Sequence, residues 1–351
     1  MPENKRQLRP LLFNKWWPIN KNKALNRSAT RSTTQLVTES IKLPVGSAYY
    51  YAIQYCPKVA KNAVKVDYES YQSALAAVVA LHLEWSQAIR DSREKSAVMA
   101  KLYWWKKEIE CLSENNPVHS LSHPIMQSLL TFYPSISKQT AILQNWVDAQ
   151  ITLLQLDRIF SVADLIQLAD AVGHPFIQLL SIISLNPPLL NKNNNNQISL
   201  NETAISCHKI FDQNILAAAD SLSIGRGLML AEWIIEIAYR IRRNHLPMAV
   251  DDLQTYQVMP EMLFKHQYNQ NVIQLLTQQV TRAQMYLMQG QTYLWQQPKA
   301  VRQSLSLLLA LSRLAYKTLV EIQRNNYQIL HQSIELTPIR KLWIAWRASK
   351  V

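Results

Sequence analysis

The chain has 351 residues, of which five are Gly, 48% are hydrophobic and 17% are charged, with a net charge of +13. So few glycines leave few positions for the positive-φ turns of β-hairpins, which argues against sandwiches, barrels and doubly wound sheets, and the hydrophobic fraction excludes a wholly disordered chain. The three cysteines (Cys56, Cys111 and Cys207) are odd in number and far apart, so they favour a reducing compartment over a disulfide framework or a zinc site.

Residues 1–39 form a basic segment that we expect to be flexible. Residues 1–31 hold eight Lys and Arg against one acid, a net charge of +7. Trp16 and Trp17 lie among these cations, and indole rings favour the headgroup level of a bilayer, so we predict them as membrane-contact residues. The segment lacks the apolar stretch of a secretory signal, and its Trp and Pro residues argue against the alternative of a transit peptide.

Residues 40–335 are predicted to form one all-α domain, a single large helical bundle. Apolar residues recur there at three- and four-residue spacing, which indicates helices over 58–90, 93–113, 138–156, 161–184, 201–243, 267–296 and 299–331. Stop signals separate or end them at Pro57, Asn115–Pro117, Pro134, Gly173–Pro175, Pro187–Pro188 and Pro247.

Two stretches of this domain have a distinctive composition. Residues 191–197 are rich in Asn and predict a mobile surface loop. The most apolar stretch, 176–185, is interrupted by polar residues and stopped by two prolines, so no transmembrane helix is predicted.

The final segment, residues 336–351, is predicted to be a basic amphipathic helix. Residues 338–351 carry four cations and no acid. On a helix one apolar stripe collects Ile339, Leu342, Trp343 and Trp346. Two interpretations stay open: the helix packs against the bundle, or it touches a membrane surface through Trp343, Trp346 and Arg347.

Several segments, taken in order, resemble a known family. The chain reads Ser47-Ala48-Tyr49-Tyr50-Tyr51-Ala52 before Pro57, then Trp104-Trp105-Lys106-Lys107-Glu108 before His123-Pro124. Arg158 to Gly173 follows, and then Ile224 to Leu253, with Gly225-Arg226-Gly227 and Asp251-Asp252. In their order and spacing, over roughly 47–265, these segments resemble the squalene/phytoene synthase family.

The resemblance implies the all-α isoprenoid-synthase fold and the joining of two isoprenoid diphosphates, such as farnesyl or geranylgeranyl diphosphate. The family's chemistry needs two Asp-x-x-x-Asp motifs that face each other and hold Mg²⁺ on carboxylates one helical turn apart. Here the first motif falls at Leu75 and Val79, which offer no oxygen ligand, and the second at Glu236 and Arg240. We therefore expect no metal site and no cofactor, with Mg²⁺ required only if the protein is active.

The resemblance also implies a set of residues that line the substrate cavity: Ser47, Tyr50, Tyr51, Gln72, Leu75, Val79, Met229, Glu232, Glu236 and Arg240. Two interpretations of Glu232 and Glu236 stay open. They form a displaced acidic pair with Asp67 and Glu69 opposite, or they make helix salt bridges to Arg240 and Arg243. No catalytic residue is assigned; in an active enzyme the candidates are Glu236, Glu232 and Tyr50.

These features leave three hypotheses for function. The first, which we favour, is an inactive or impaired member of this family that serves as a membrane-associated accessory protein, of the isoprenoid- or lipid-binding or the assembly type. The family offers a precedent in a respiratory complex I assembly factor whose acidic motifs are eroded. The second is an active prenyltransferase with an altered Mg²⁺ site, and the third is a basic interaction protein unrelated to lipids.

The expected partners follow from the first hypothesis: an isoprenoid or other lipid, a membrane surface, or a protein. Nucleic acid is not favoured, because the charge excess lies at the two termini and not on the folded body. We expect a cytoplasmic protein with peripheral contact to the inner membrane.

Overall fold

The structure, a computed structural model, describes residues 43–55, 66–91, 94–113, 121–188, 219–243 and 245–350. The predicted basic segment 1–39, with Trp16 and Trp17, and the Asn-rich loop 191–197 lie outside the described residues. In chain order the α-helices are α1 (Ala48–Tyr55), α2 (Tyr68–Asp91), α3 (Lys95–Glu110), α4 (Pro124–Phe132), α5 (Thr140–Gln155), α6 (Val162–Leu185), α7 (Ala219–Ile235), α8 (Ile237–Ile241), α9 (Val250–Thr255), α10 (Pro260–Phe264), α11 (Gln270–Gln296), α12 (Lys299–Ser304), α13 (Ser306–Arg324) and α14 (Pro338–Ala348). The described ranges contain no β-strand, and the prediction of an all-α bundle is confirmed.

The helix boundaries agree with the sequence pattern in some places and not in others. The helices predicted over 138–156, 161–184 and 267–296 are found within three residues of those limits. The helix predicted over 299–331 was wrong in extent: it is divided at Leu305 and ends at Arg324. It stops there because Asn326 and Tyr327 adopt left-handed backbone, with φ of 50° and 57°.

The stop signal at Gly173–Pro175 does not interrupt the helix predicted over 161–184, because α6 runs through it. A proline inside a helix costs about 3 kcal/mol. That cost is offset by a Ser161–Asp164 capping box at the start of α6 and by the burial of its apolar side chains along most of its length. By length and composition α6 could cross a membrane, but 67% of its most apolar window is buried inside the protein, as in the core helix of a bundle.

Helix α4 is not among the helices that the sequence predicted. Pro124 occupies its first turn, and Nδ1 of the N-cap residue His123 accepts a hydrogen bond from the amide of Ile125 at 3.2 Å. The buried carboxylate of Glu108 on α3 accepts hydrogen bonds from the amides of Ser122 (2.7 Å) and His123 (2.6 Å). This contact explains why the Glu108 and His123-Pro124 segments occur together: the carboxylate fixes the start of the next helix.

Helix α7 lies between α6 and α11, and glycines allow its backbone to approach both. A Cβ atom built on Gly225 of α7 would lie 2.7 Å from the carbonyl oxygen of Gly173 on α6. One built on Gly227 would lie 2.8 Å from the amide nitrogen of Leu287 on α11, and Gly290 of α11 lies at the same contact. These distances are too short for any side chain, so the position of α7 depends on these residues being glycine.

The C-terminal helix α14 packs against α13 and α1. Its buried face consists of Lys341, Ile344, Ala345 and Ala348. Lys341 donates from Nζ to the carbonyl oxygen of Gly46 at 2.9 Å and to Glu335 at 3.0 Å. The helix is therefore docked on the bundle, with Trp343 and Trp346 on its exposed side.

The close approach of α6 and α7 can be tested with Gly225→Ala. Alanine favours a helix over glycine by about 1 kcal/mol. The added methyl group meets the Gly173 carbonyl oxygen, however, and overpacking of this kind costs about 1–3 kcal/mol. We expect a lower free energy of unfolding by chemical denaturation, with the exposed α11 variant Thr292→Ala unchanged. A Gly225→Ala protein as stable as the wild type would contradict the contact.

Candidate functional site

Helices α2 and α7 face each other across the part of the bundle where the resemblance places the two acidic motifs. On α2 the corresponding positions, Leu75 and Val79, are fully buried apolar side chains. Glu232 on α7 and Glu236, directly after its last residue, both have oxygen atoms directed at α2. The space between the helices therefore has carboxylates on one side only.

The carboxylate of Glu232 is bound by two residues from other helices. Nε2 of His82, on α2, lies 2.9 Å from Glu232 Oε2. The hydroxyl of Tyr49, on α1, donates to the same oxygen at 3.3 Å. Because a carboxylate can only accept, Nε2 of His82 carries the proton of this hydrogen bond.

The carboxylate of Glu236 is bound by two guanidinium groups. Arg90, at the C-terminal end of α2, donates from Nη1 to Oε1 at 2.8 Å, and Arg240 of α8 donates from Nη2 to Oε2 at 3.2 Å. Glu236 itself lies at the break between α7 and α8. The amides of Glu236 and Arg240 still bond four residues back, to Glu232 and Glu236, so the three side chains stay one turn apart on one side.

The electrostatics of this cluster follow from burial and from its cations. Burial raises the pKa of Glu232, but His82, Arg240 and Tyr49 outweigh that effect and hold the pKa below its ordinary value. Burial and the charge of Glu232 raise the pKa of Glu236, against the opposing effect of Arg240 and Arg90.

Two further groups bear on the charge balance. Burial and the charges of Glu232 and Glu236 raise the pKa of Tyr49, so its hydroxyl remains a donor. Burial, Arg240 and Lys95 lower the pKa of His245 to about 4, so it is neutral at pH 7. Nε and Nη1 of Arg240 are buried and have no hydrogen-bond partner among the residues that the structure describes. Two carboxylates thus face at least two permanent cations, and the site has no surplus of negative charge.

Aromatic rings fill the space beside the ion pairs. The ring of His82 stacks on Phe176 of α6, with centroids 4.5 Å apart, and on Trp146 of α5 at 6.0 Å. Trp85 meets Trp146 edge to face at 4.8 Å and Trp105 at 5.8 Å. These side chains are almost completely buried and contribute much of the packing between α2, α3, α5 and α6.

The structure brings together only some of the predicted cavity residues. Glu232, Glu236 and Arg240 belong to the cluster, and the predicted helix salt bridge between Glu236 and Arg240 is present. Met229 is buried in α7, and Leu75 and Val79 belong to the core.

The other predicted cavity residues have different surroundings. The hydroxyl oxygen of Ser47 accepts a hydrogen bond from the amide of Tyr50 at 3.1 Å and caps α1. The rings of Tyr50 and Tyr51 contact each other with centroids 5.4 Å apart, and Gln72 is half-buried. The tyrosine that reaches Glu232 is Tyr49, a neighbour of the catalytic candidate Tyr50.

The sequence analysis missed His82 and Arg90. Both lie on the face of α2 that also carries Leu75 and Val79, since His82 follows Leu75 by seven residues and Arg90 follows His82 by eight. The sequence does show a titratable side chain on an otherwise apolar helix face. That pattern indicates a buried polar contact, but it does not indicate which distant residue the side chain contacts.

The remaining acids do not complete a metal site. Asp67 accepts hydrogen bonds from Ser70 and caps α2. It lies fifteen residues before His82, about 22 Å along the helix at 1.5 Å per residue, so it does not face Glu232. Arg282 binds Asp252 through both oxygens, at 2.7 and 2.9 Å. Across the described ranges, no group of three or more His, Cys, Asp or Glu is arranged to hold a metal ion.

Magnesium does not fit the residues that are present. The ion needs carboxylate or other oxygen ligands in near-octahedral geometry. In the described part of the site, Oε2 of Glu232 and both carboxylate oxygens of Glu236 already accept hydrogen bonds from protein donors, and the guanidinium of Arg240 repels a divalent cation.

Comparisons with known proteins agree with this architecture. The sequence model of the squalene/phytoene synthase family matches residues 45–341. Among solved structures, a dehydrosqualene synthase in complex with ligand superposes with a TM-score of 0.62 at 13% identity, covering 90% of this chain and 93% of that one. Squalene synthase HpnC from Alicyclobacillus acidocaldarius gives a TM-score of 0.45 at 11% identity, over 73% and 95% of the two chains. No curated protein matches this sequence significantly.

Replacing Glu236 by Ala tests whether the cluster is an ion-pair network. The change removes the carboxylate that Arg90 and Arg240 share, and Arg240 is only 3% exposed. Breaking a buried pair on one side costs about 3 kcal/mol, so we expect the free energy of unfolding to fall by about that amount.

The matched control is Asp157→Ala, which removes an acid that is 85% exposed and pairs with Lys95. Its effect should stay below about 1 kcal/mol. A gain in stability for Glu236→Ala would contradict the network, because relief of repulsion is what an acidic metal cluster shows when one carboxylate is removed.

Proposed function

Because the chain belongs to the squalene/phytoene synthase family, we propose that it is a catalytically inactive member that serves as a membrane-associated accessory protein, of the isoprenoid- or lipid-binding or the assembly type. The proposal separates the scaffold from the chemistry. The fold is that of the family, whereas the residues that would ionise a prenyl diphosphate differ at both acidic motifs.

One observation carries this proposal: both carboxylates on the α7 side are already bound by side chains of the protein. His82 binds Glu232, and Arg90 and Arg240 bind Glu236. A Mg²⁺ ion bound to Glu236 would compete with two guanidinium groups for its oxygens. A guanidinium displaced from Glu236 would lose a close counter-charge in a largely buried site, which costs several kcal/mol. Diphosphate departure assisted by metal ions is therefore disfavoured at this position.

The opposite side of the site supports the same conclusion. Leu75 and Val79 on α2 are fully buried and packed in the core, so that side offers Mg²⁺ no oxygen ligand at the two motif positions. The alternative, an active prenyltransferase with an altered Mg²⁺ site, would need both ligands from Glu232 and Glu236, which are held by His82, Arg90 and Arg240.

The basic segments at the two ends of the chain support an accessory role. Its excess of positive charge lies in segments at the two ends, and the C-terminal one forms a helix that is docked on the bundle with exposed indole rings. Such a surface suits attachment to a membrane or to a partner without any contribution from the interior.

The test is release of pyrophosphate from farnesyl diphosphate and from geranylgeranyl diphosphate by the purified protein, with and without Mg²⁺. We expect no release above background, while a dehydrosqualene synthase assayed in parallel is active.

Two variants make this test specific. Glu236→Ala removes the carboxylate that an altered metal site would need, and Glu261→Ala removes an exposed acid of α10. Mg²⁺-dependent release that Glu236→Ala abolishes and Glu261→Ala preserves would overturn the proposal and establish the prenyltransferase alternative.

A further inference from the structure

Three exposed tryptophans lie together at one end of the bundle, where α11 ends beside α13 and α14. Trp295 is 45% exposed, Trp343 51% and Trp346 43%. With Arg313, Arg347 and Lys350 they line an open recess of about 550 Å³. We call these six residues the tryptophan face. Trp295 and Arg313 extend it well beyond the C-terminal helix that the sequence indicated.

Each indole ring of the tryptophan face has a cation against it. The guanidinium carbons of Arg302 and Arg313 lie 5.0 and 5.4 Å from the ring centroid of Trp295. That of Arg347 lies 5.2 Å from Trp343, and Lys350 Nζ lies 3.5 Å from Trp346. A cation–π contact positions a cation without cancelling its charge, so the surface stays positive.

The sequence around the tryptophan face also carries a net positive charge. Residues 295–350 contain nine Lys and Arg against two acids, a net charge of +7. Both acids are paired: Glu321 lies 2.8 Å from Arg340, and Glu335 lies 3.0 Å from Lys341. The chemistry of this end of the molecule therefore selects an extended anionic partner.

Apolar side chains flank the tryptophan face. Ile339 and Leu342 are exposed on α14. On α11, Met285 and Met288 are exposed ten and seven residues before Trp295, a spacing that places all three on one side of the helix. The transfer of aliphatic side chains from water to the acyl chains of a bilayer is favourable in free energy. The phosphates of a nucleic acid provide no comparable apolar environment.

From this combination we infer that the tryptophan face docks on an anionic lipid bilayer. The indole rings lie at the headgroup level, Ile339 and Leu342 reach toward the acyl chains, and Arg313, Arg347 and Lys350 face the lipid phosphates. The inference rests on the membrane association in the proposed function, and it holds whether or not catalysis has been lost.

The experiment is flotation of the full-length protein with vesicles of phosphatidylcholine, pure or mixed with phosphatidylglycerol. The wild type should float with the mixed vesicles and much less with the pure ones. Trp295→Ser/Trp343→Ser/Trp346→Ser removes the indole rings, and Arg347→Glu/Lys350→Glu reverses two charges. Each change should weaken partitioning at least about tenfold, because each cation near an anionic surface contributes about fivefold and each indole adds interfacial affinity.

Matched controls separate the tryptophan face from general effects. Trp104→Ser removes an exposed indole on α3, and Arg242→Glu/Arg243→Glu makes the same charge change at the end of α8. Both control proteins should float like the wild type. Circular dichroism verifies that every variant is folded.

Several outcomes would overturn the inference. Unchanged flotation of both face variants means that the face is not the docking surface. Flotation lost only when residues 1–31 are deleted assigns binding to that segment and leaves the proposed membrane association standing. Absence of flotation for the wild type removes the membrane association as well. Binding of the wild type to an oligonucleotide but to no vesicle would assign the face to nucleic acid.

Discussion

The structure depends on one electrostatic constraint: two buried acidic residues, Glu232 on α7 and Glu236 directly after it, need hydrogen-bonding or charged partners, and the protein supplies them. Glu236 is bound by Arg90 from α2 and by Arg240 from the next turn, and Glu232 by His82 and Tyr49. Carboxylates buried without such partners would be costly, so in a related enzyme with bound Mg²⁺ the metal would carry this role. Here side chains carry it, and the same contacts join α1, α2, α7 and α8.

These contacts form only because α7 packs closely against its two neighbouring helices. Gly173 and Gly225 bring α7 against α6, and Gly227 and Gly290 bring it against α11. Four of the five glycines in the chain serve these helix contacts, and the fifth, Gly46, has a φ of 93° just before α1. The low glycine content argued against β-rich folds. The structure adds that most of the few glycines present lie at close contacts between helices.

Much of the fold could be predicted from the sequence, because periodicity is a local property. The spacing of apolar residues identified the long helices α5, α6 and α11, and the order of short motifs identified the family. The short helix α4 was missed because a contact at its start fixes it, that of Glu108 with Ser122 and His123, which are distant from Glu108 in the sequence pattern. Helix α6 continues through Pro175 because its apolar side chains are buried in the bundle. A local sequence signal such as proline does not indicate how deeply a helix is buried.

The candidate site was harder to predict than the fold. The loss of the acidic motifs is visible in the sequence, and so is the Glu236–Arg240 pair, because its residues are one turn apart. The pairing of His82 with Glu232 and of Arg90 with Glu236 spans 150 and 146 residues, and only the tertiary structure brings those side chains together. For the same reason the sequence favoured Tyr50, whereas the geometry selects Tyr49.

The most direct test of this account is a crystal structure of the protein soaked with Mg²⁺ and a non-hydrolysable prenyl diphosphate analogue. The account predicts that Glu236 remains bound to Arg90 and Arg240, that Glu232 remains bound to His82, and that no metal ion lies between α2 and α7. A Mg²⁺ ion coordinated by Glu232 or Glu236 at about 2.1 Å, with diphosphate oxygens completing its octahedron, would contradict it.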